Sequence, residues 1–216
     1  MKTRVVSAVD EHATAVTRAR YQRLSRFYDL MVMLPERRFR PWRQKAWALV
    51  QGPRVLEVGV GTGKNMPFWS RDMCLTAIDL TPGMLERSRR RAAKLALQAD
   101  LHLGDVQALD FPDASFDTIV ATFVFCSVPD PVMGLRELKR VVKPGGRIVL
   151  LEHMRSPNIF MGKLMDLLNP LVVRVMGANI NRRTLENVRA AGLIVERVEN
   201  LGMGGIVNLI IALTSS

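Results

Sequence analysis

The sequence predicts a single α/β domain in which a mostly parallel β-sheet is covered by helices on both faces. From Pro53 onward, short apolar runs rich in β-branched residues alternate with helical segments. Such alternation places the strands parallel, because each helix returns the chain across one face of the sheet. A length of 216 residues allows one such domain with a sizeable core, but not two ordinary domains. We expect a helical extension over residues 1–50 and the α/β domain over residues 51–216.

The N-terminal extension is predicted to contain two helices. Over residues 17–33, four large side chains recur on one helical face: Tyr21, Leu24, Tyr28 and Met31. Pro35 is expected to end this helix, and the segment ERRFRPWRQKAWALV to begin another. The first residues lack the apolar stretch of a secretory signal, and no run of about 18 residues is apolar enough to span a bilayer. The sequence therefore predicts a cytoplasmic protein, or one attached to a membrane from that side.

Positive charge is concentrated in this extension. Residues 1–54 contain 12 lysines and arginines against 4 acidic residues, which accounts for most of the formal net charge of +11. A basic surface attracts nucleic acid or anionic lipid headgroups, and the plain alternative is a solvated face that aids solubility. Aromatic residues make up 6% of the chain and there is no appended RNA-binding motif, so we do not expect nucleic acid as a partner.

Four strands are predicted in the first half of the main domain. The run RVLEVGV ends at glycines and is followed by a helix from about Lys64. CLTAIDL is the second strand, after which Thr81 is the expected N-cap of a helix with Pro82 in its first position. LHLGDV is the third strand and FDTIVATFVF the fourth.

The second half completes the sheet and contains an apolar insertion. A helix over PVMGLRELKRVV ends at the turn KPGG, and RIVLLEH is the fifth strand. Residues 156–180 are predicted to be an irregular insertion rich in Met and Leu, whose length favours a functional cover or an interfacial segment. After a helix ended by Gly192, LIVERVENL and GIVNLIIALT close the sheet with no helix between them. One of these two strands should therefore be antiparallel.

A glycine-rich loop follows the first strand, in the order Glu57-Val-Gly59-Val-Gly61-Thr-Gly63. Glycines turn sharply at positive φ and let a ligand approach the backbone closely. Asp79, at the end of the second strand, can accept hydrogen bonds from both ribose hydroxyls of a nucleoside. Asp105, after the third, can accept one from an adenine amino group while Val106 packs on the ring. A surface carboxylate is the alternative at each position, but the loop and both acids share the edge where open α/β sheets bind ligands.

Five motifs resemble those of the class I S-adenosylmethionine (SAM)-dependent methyltransferases: EVGVGTG, AIDLTPGML, GDV, FDTIVATFVF and LKRVVKPGGRIVLLEH. The chain looks most like the branch that contains the UbiE-type quinone-biosynthesis enzymes and the bacterial phosphatidylethanolamine N-methyltransferases. The resemblance covers roughly residues 20–155. It implies a Rossmann-like fold with a seven-stranded, mostly parallel sheet and one antiparallel strand. It also implies SAM as the cofactor and S-adenosyl-L-homocysteine as the product.

The resemblance further implies which residues hold the cofactor. By motif position, the amino-acid end of SAM would be lined by Glu57, Gly59, Gly61 and Gly63. Asp79 would hold the ribose, and the adenine would lie among Leu80, Asp105 and Val106. Thr122 and Phe123 would flank the methionine moiety. The pair Tyr28-Asp29 resembles the N-terminal helix that closes over SAM in this branch. Tyr28 is therefore a candidate cap, with ordinary packing on an amphipathic helix as the alternative.

Candidates for proton transfer lie at the end of the fifth strand and in the extension. His153 could take a proton from an amine, phenol or thiol near neutral pH, or be a half-buried histidine bonded to the backbone. The side chain of its neighbour Glu152 should point to the opposite face of the sheet. Tyr21 and Tyr28 are the candidate phenols, with packing as their alternative role.

Four residues are predicted to contact the acceptor: Phe125, Cys126, Asn179 and Arg182. The last two belong to the polar segment GANINRRT, which could bind an anionic group or form a solvated helix start. Cys126 could equally be a small buried hydrophobic residue. The chain's other cysteine, Cys74, lies far away and no Cys/His spacing of a metal site is present, so no metal is expected.

The apolar insertion and the basic extension together predict a lipid-like acceptor at the inner face of a membrane. N-methylation of the phosphatidylethanolamine headgroup is the leading hypothesis. One alternative is C-methylation of a polyprenyl quinone precursor, which would share the apolar access route. Another is S-methylation of small thiols, because FCSVP and the Glu-His end of the fifth strand resemble the methyltransferases that act on alkyl thiols. A non-catalytic protein that keeps SAM as a structural ligand is the alternative from another class, and the intact glycine loop and acids argue against it.

Overall fold

The computed structural model describes residues 8–214, which form a seven-stranded sheet with helices on both faces. In chain order the strands are β1 (Arg54–Val58), β2 (Cys74–Asp79), β3 (Asp100–Leu103), β4 (Phe116–Thr122), β5 (Val142–His153), β6 (Ile194–Gly202) and β7 (Val207–Leu213). They lie side by side in the order β3-β2-β1-β4-β5-β7-β6. Strand β7 is antiparallel to both of its neighbours, and the other pairs are parallel. The predicted Rossmann-like fold class is confirmed, including its one antiparallel strand.

The helices are α1 (Glu11–Leu24), α2 (Tyr28–Met31), α3 (Met33–Trp47), α4 (Pro82–Lys94), α5 (Pro131–Val141), α6 (Ile159–Met176) and α7 (Thr184–Ala190). Three of them begin at a residue whose side chain accepts a hydrogen bond from the backbone N–H three positions later: Asp10, Asp130 and Asn158. Such a cap satisfies an N–H group that has no partner within the helix. No helix among residues 8–214 is both long and apolar enough to cross a bilayer. The first seven residues, on which the argument against a signal peptide partly depends, lie outside the described residues.

The N-terminal extension differs from its prediction in where its helices break. The chain turns after α1, where Ser25 is buried and its hydroxyl donates to the carbonyl of Gln22. The single helix predicted over residues 17–33 was therefore wrong, and so was the role of Pro35, which lies in the first turn of α3. Proline is tolerated there because first-turn N–H groups have no partner within the helix.

Two further segments differ from the prediction. Instead of a helix from Lys64, the chain after β1 forms one 3-10 turn, Met66–Phe68, because Asn65 and Trp69 both donate to the buried carboxylate of Glu57. The insertion predicted to be irregular is helical over α6, which contains Pro170 and ends at Gly177 with φ +77°.

The core has two layers, one on each face of the sheet. Neighbouring residues on a strand point to opposite faces, so Leu150 packs with α5 and α7 while Leu151 packs with α3 and α4. Strands covered on both faces carry continuous apolar runs, as at residues 119–121 of β4 and 148–151 of β5. The carboxyl edge of β1–β4 is left to loops and the N-terminal helices.

Candidate active site

A cavity opens at the carboxyl ends of β1, β2, β3 and β4. Its floor is formed by the loops that follow these strands, and α1, α2 and α3 contribute Thr17, Tyr21, Tyr28 and Arg43 to its walls. The carboxyl edge of an open α/β sheet is the usual place for a ligand, because all the connecting loops emerge there. The N-terminal extension thus forms part of the cavity.

The glycine loop after β1 adopts a conformation that other residues rarely adopt. Gly59 has a φ of +68°, and a Cβ built on it would lie 2.5 Å from a methyl carbon of Val124. Gly61 has a φ of +55°, yet a Cβ there would meet nothing closer than the carbonyl oxygen of Gly59 at 4.0 Å. Gly59 is therefore needed for packing, while Gly61 leaves open space beside the backbone in the cavity.

Asp79 joins the end of β2 to the glycine loop. Its two carboxylate oxygens accept hydrogen bonds from the backbone N–H of Gly61 at 2.8 Å and of Thr81 at 2.9 Å. Burial raises the pKa of Asp79 above its ordinary value, and these backbone bonds oppose the rise. Each oxygen can accept more than one hydrogen bond, so the carboxylate can hold the loop and also bind a ligand hydroxyl.

Asp105 lies two residues beyond β3 and is contacted by the extension. Its carboxylate accepts hydrogen bonds from the backbone N–H of Gln107 at 2.9 Å and from the hydroxyl of Thr14 in α1 at 3.3 Å. Val106 beside it is buried and lines the cavity. This end of the cavity thus combines an acceptor group with an apolar surface.

The structure brings most of the predicted cofactor residues onto the cavity wall: Tyr28, Gly59, Gly61, Asp79, Leu80, Asp105, Val106, Thr122 and Phe123. Glu57 and Gly63 do not line the cavity. The oxygens of Glu57 accept from Asn65 Nδ2 and from Trp69 Nε1, both at 2.8 Å, and burial raises the pKa of Glu57 to about 7. This carboxyl group therefore stabilises the segment that follows the glycine loop. Its predicted contact with a ligand stays a prediction.

Tyr21 and Tyr28 both reach the cavity. The hydroxyl of Tyr21 shares a hydrogen bond with that of Ser127, a cavity residue that the sequence analysis did not single out. Burial raises the pKa of Tyr28 to about 12 and that of Tyr21 further. Both phenols are therefore protonated near neutral pH and can position a polar group by hydrogen bonding.

The structure does not place His153 among the residues that line the cavity. Its ring stacks on Phe123 with centroids 4.5 Å apart and lies 5.5 Å from that of Phe39. Burial, together with the charge of Arg43, lowers its pKa to about 4, so the imidazole is neutral. Glu152 points to the opposite face, as expected, and accepts from the N–H groups of Val124 and Phe125, with a pKa that burial raises to about 8.

The predicted acceptor residues lie away from the cavity wall. Phe125 is in the core because Phe123, with a φ of +59°, ends β4 earlier than the alternating pattern predicted. Cys126 is buried, which raises the pKa of its thiol to about 12. Asn179 Nδ2 donates to the carbonyl of Cys126 at 3.1 Å, and Arg182 Nη2 to that of Val128 at 2.5 Å. These contacts fasten the loop after β4 to the segment after α6, and a role in acceptor binding stays a prediction.

Asp29 and Arg43 connect the N-terminal extension to the main domain through contacts that the sequence did not reveal. Asp29 accepts from the hydroxyl of Thr62 at 2.7 Å and pairs with Lys64 and Arg91, both at 3.0 Å. Arg43, from α3, is buried against Thr122 at the end of β4. The sequence offers no signal for Arg43, since it is one of many arginines in the extension.

Comparisons with known proteins match this chain to methyltransferases. A family model described as a methyltransferase domain matches residues 56–150. A phosphatidylethanolamine N-methyltransferase of Cereibacter sphaeroides is 41% identical over 113 residues, which cover 51% of this chain and 56% of that protein. A demethylmenaquinone methyltransferase of Deinococcus radiodurans is 34% identical over 168 residues, which cover 75% of this chain and 67% of that one. The first of these alignments thus spans little more than half of the relative's length.

Solved structures share the fold. A SAM-dependent methyltransferase from Thermotoga maritima superimposes with a TM-score of 0.71 at 21% identity, covering 92% of this chain and 100% of that one. A geranyl diphosphate C-methyltransferase from Streptomyces coelicolor, in complex with S-adenosyl-L-homocysteine, gives 0.68 at 16% identity, covering 87% and 84%. At these identities the likeness shows the architecture alone.

Proposed function

We propose that this chain, which belongs to the class I SAM-dependent methyltransferases, transfers a methyl group to a lipid-like acceptor at a membrane surface, and that the acceptor is the amine of phosphatidylethanolamine. The observation behind the lipid acceptor is a band of exposed apolar side chains on the helices beside the cavity. The observation behind the amine is the identity with the C. sphaeroides enzyme.

The residues of the cavity fit SAM. Asp79 retains acceptor capacity for ribose hydroxyls, Gly61 leaves space beside the loop, and Val106 offers an apolar surface to an adenine ring. When bound, SAM supplies a methyl group on a sulfonium, which an in-line nucleophile displaces. The chain itself has to hold the acceptor in line and exclude water.

Exposed apolar residues form two segments, one at α2 beside the cavity and one on α6, which ends near it. We call them the apolar rim: Phe27, Leu30, Met31, Met33 and Leu34 at α2 and the start of α3, and Ile159, Phe160, Met161, Leu164, Leu167, Leu168, Leu171, Val175 and Met176 on α6. On α6 the apolar face points outward, with Phe160 exposed by 84% and Leu167 by 76%. The helix ends beside the cavity wall, since a Cβ on Gly177 would lie 3.7 Å from the ring of Tyr21. Contiguous apolar surface of this kind usually marks an interaction site.

Arginines accompany the apolar rim at its α2 side. Five arginines that are close to residues 27–34 in the sequence are exposed: Arg23, Arg26, Arg37, Arg38 and Arg40. An apolar surface bordered by cations suits the interface of an anionic membrane, where each cation contributes about 1 kcal/mol and the apolar groups enter the acyl boundary. A lipid acceptor would then reach the cavity without leaving the membrane surface.

The hydroxyl groups on the wall support an amine acceptor. Tyr21, paired with Ser127, and Tyr28 remain protonated, and their oxygens can accept a hydrogen bond from an amine N–H and orient its lone pair. His153 is neutral and could take the proton, but it would need a relay past Phe123. The tyrosines are therefore our candidates for direct contact with the acceptor.

C-methylation of a quinone precursor is the second candidate. The D. radiodurans demethylmenaquinone methyltransferase aligns with a larger part of this chain than the C. sphaeroides protein does. The apolar rim suits a polyprenyl tail as well as acyl chains.

The test is to incubate the pure protein with methyl-labelled SAM and a bacterial total-lipid extract, and to separate phospholipids from neutral lipids. We expect label in methylated phosphatidylethanolamine, and much less of it with the variant Asp79→Ala when SAM is limiting. Label in the neutral fraction instead would replace the amine by a quinone. No label in either fraction, from protein that binds S-adenosyl-L-homocysteine, would contradict a lipid acceptor.

A further inference from the structure

The buried guanidinium group of Arg43 makes three hydrogen bonds to other side chains, and one of its nitrogens makes none of them. Its Nε donates to Glu36 at 3.0 Å, and its Nη1 donates to Thr122 Oγ1 at 2.7 Å and to Asn65 Oδ1 at 3.1 Å. No group among residues 8–214 accepts a hydrogen bond from Nη2. The side chain is only 8% exposed, and Arg43 lines the cavity. Because Arg43 lines the cavity and its Nε and Nη1 are already bonded, Nη2 is the nitrogen that can donate to an oxygen acceptor there.

The position of Arg43 along the sheet edge indicates what that acceptor is. The strands lie in the order β3-β2-β1-β4, so that Asp105, Asp79, the glycine loop and Thr122 follow one another along the cavity. Asp105 and Asp79, at the β3 and β2 end, can accept hydrogen bonds from the adenine and ribose of a nucleoside. Arg43 is bonded to Thr122 and Asn65 at the opposite end, near β1 and β4. A ligand with a nucleoside at one end and an anion at the other matches this order of charges.

We infer that Arg43 is the anion-binding residue of the cofactor site and that its Nη2 donates to the carboxylate at the amino-acid end of SAM. The inference rests on the proposed use of SAM. It makes the N-terminal extension a direct part of the cofactor site, because the cation comes from α3 and not from the sheet or its loops. Glu36, seven residues earlier on α3, holds the guanidinium by Nε and leaves the Nη2 side free.

A headgroup phosphate is the other oxyanion that could reach this cavity. The guanidinium fork suits both anions. The carboxylate is favoured because Arg43 bonds to Asn65, two residues after the glycine loop, and to Thr122, the last residue of β4. The experiment therefore distinguishes the carboxylate of SAM from the phosphate of a lipid headgroup.

The test compares two ligands that differ at the amino-acid end, measured by calorimetry without turnover. S-adenosyl-L-homocysteine has the carboxylate, and 5′-methylthioadenosine lacks the whole amino-acid portion. For Arg43→Met we expect affinity for the first ligand to fall on the order of 10- to 100-fold and affinity for the second to stay within about twofold. Arg43→Lys should lose less, since it keeps the charge. Arg136→Met, which removes an exposed arginine on α5, should bind both ligands like the parent protein.

Each outcome has a distinct meaning. Retained binding of 5′-methylthioadenosine by Arg43→Met shows that the site is still folded. Equal losses for both ligands, in Arg43→Met and in Arg43→Lys, would overturn the inference, because Arg43 would then only support the cavity. Unchanged binding of S-adenosyl-L-homocysteine with a raised KM for phospholipid would also overturn it, in favour of a phosphate. A parent protein that binds neither ligand would instead refute the proposed use of SAM.

Discussion

Removing two side chains of the apolar rim should detach the protein from membranes without unfolding it. Phe160 and Leu167 are exposed by 84% and 76%, so the folded monomer gains little from burying them. Full burial of such a side chain contributes about 1.5–3 kcal/mol. Partial burial of both in the acyl boundary should then contribute about 2–4 kcal/mol to binding, so Phe160→Ser with Leu167→Ser should weaken it on the order of 30- to 1,000-fold.

The assay is co-sedimentation with vesicles that contain anionic lipid, at low and at high salt. Substitutions at exposed positions usually change the free energy of unfolding by less than about 0.5 kcal/mol, so the thermal midpoint should stay nearly constant. The matched control is Ile194→Ser with Val198→Ser, two residues exposed by 53% and 42% on β6 at the edge of the sheet. The control should bind vesicles like the parent protein, with the salt dependence expected of the basic extension.

Two results would refute the reasoning. If the variant in α6 co-sedimented as well as the parent protein, the apolar face of α6 would not contact lipid. If both double variants lost binding equally, the effect would reflect general surface hydrophobicity and not the apolar rim.

Two further predictions concern Asp79 and His153. Asp79→Ala should weaken binding of S-adenosyl-L-homocysteine at least about tenfold, because a charge-assisted hydrogen bond contributes about 1.5–3 kcal/mol; unchanged affinity in calorimetry would refute this placement of the ribose. The pKa of His153 falls from 6.5 to about 4, so between these values the unfolded chain binds more protons than the folded protein does. The stability that this residue contributes is therefore present above pH 6.5 and is lost as the pH falls towards 4. Urea denaturation across this range should show a smaller loss for His153→Phe, and parallel curves for the two proteins would contradict the burial of a neutral imidazole.

The positions of the glycine loop and the two acids at the cavity edge could be predicted from sequence because their signals are local. The glycines at positive φ, Asp79 at the end of β2 and Asp105 after β3 each follow directly from a strand that its own apolar pattern identifies. Once the strands are parallel, their carboxyl ends must share an edge, so residues far apart in sequence are brought together by topology alone.

The acceptor side could not be predicted in the same way. Phe125 and Cys126 were expected at the cavity because the alternation of FDTIVATFVF continues past Thr122, yet Phe123 adopts a left-handed conformation and turns them into the core. His153 was expected there because it ends β5, yet its ring stacks beneath Phe123. For α6, the length and composition predicted an apolar cover or an interfacial segment, but not that the segment is a helix with its apolar face exposed.

The sequence alone determined the sheet, its one antiparallel strand, the glycine loop and the two acids, since each depends on periodicity or on a residue's place at the end of a strand. Tertiary structure alone decided that Arg43, of all the arginines in the extension, is buried against Thr122 and Asn65, and that Glu57 supports the loop from behind. The physical reason is that burial and hydrogen-bond partners depend on how α1–α3 pack over the sheet. That packing joins residues from distant segments, and no local pattern records it.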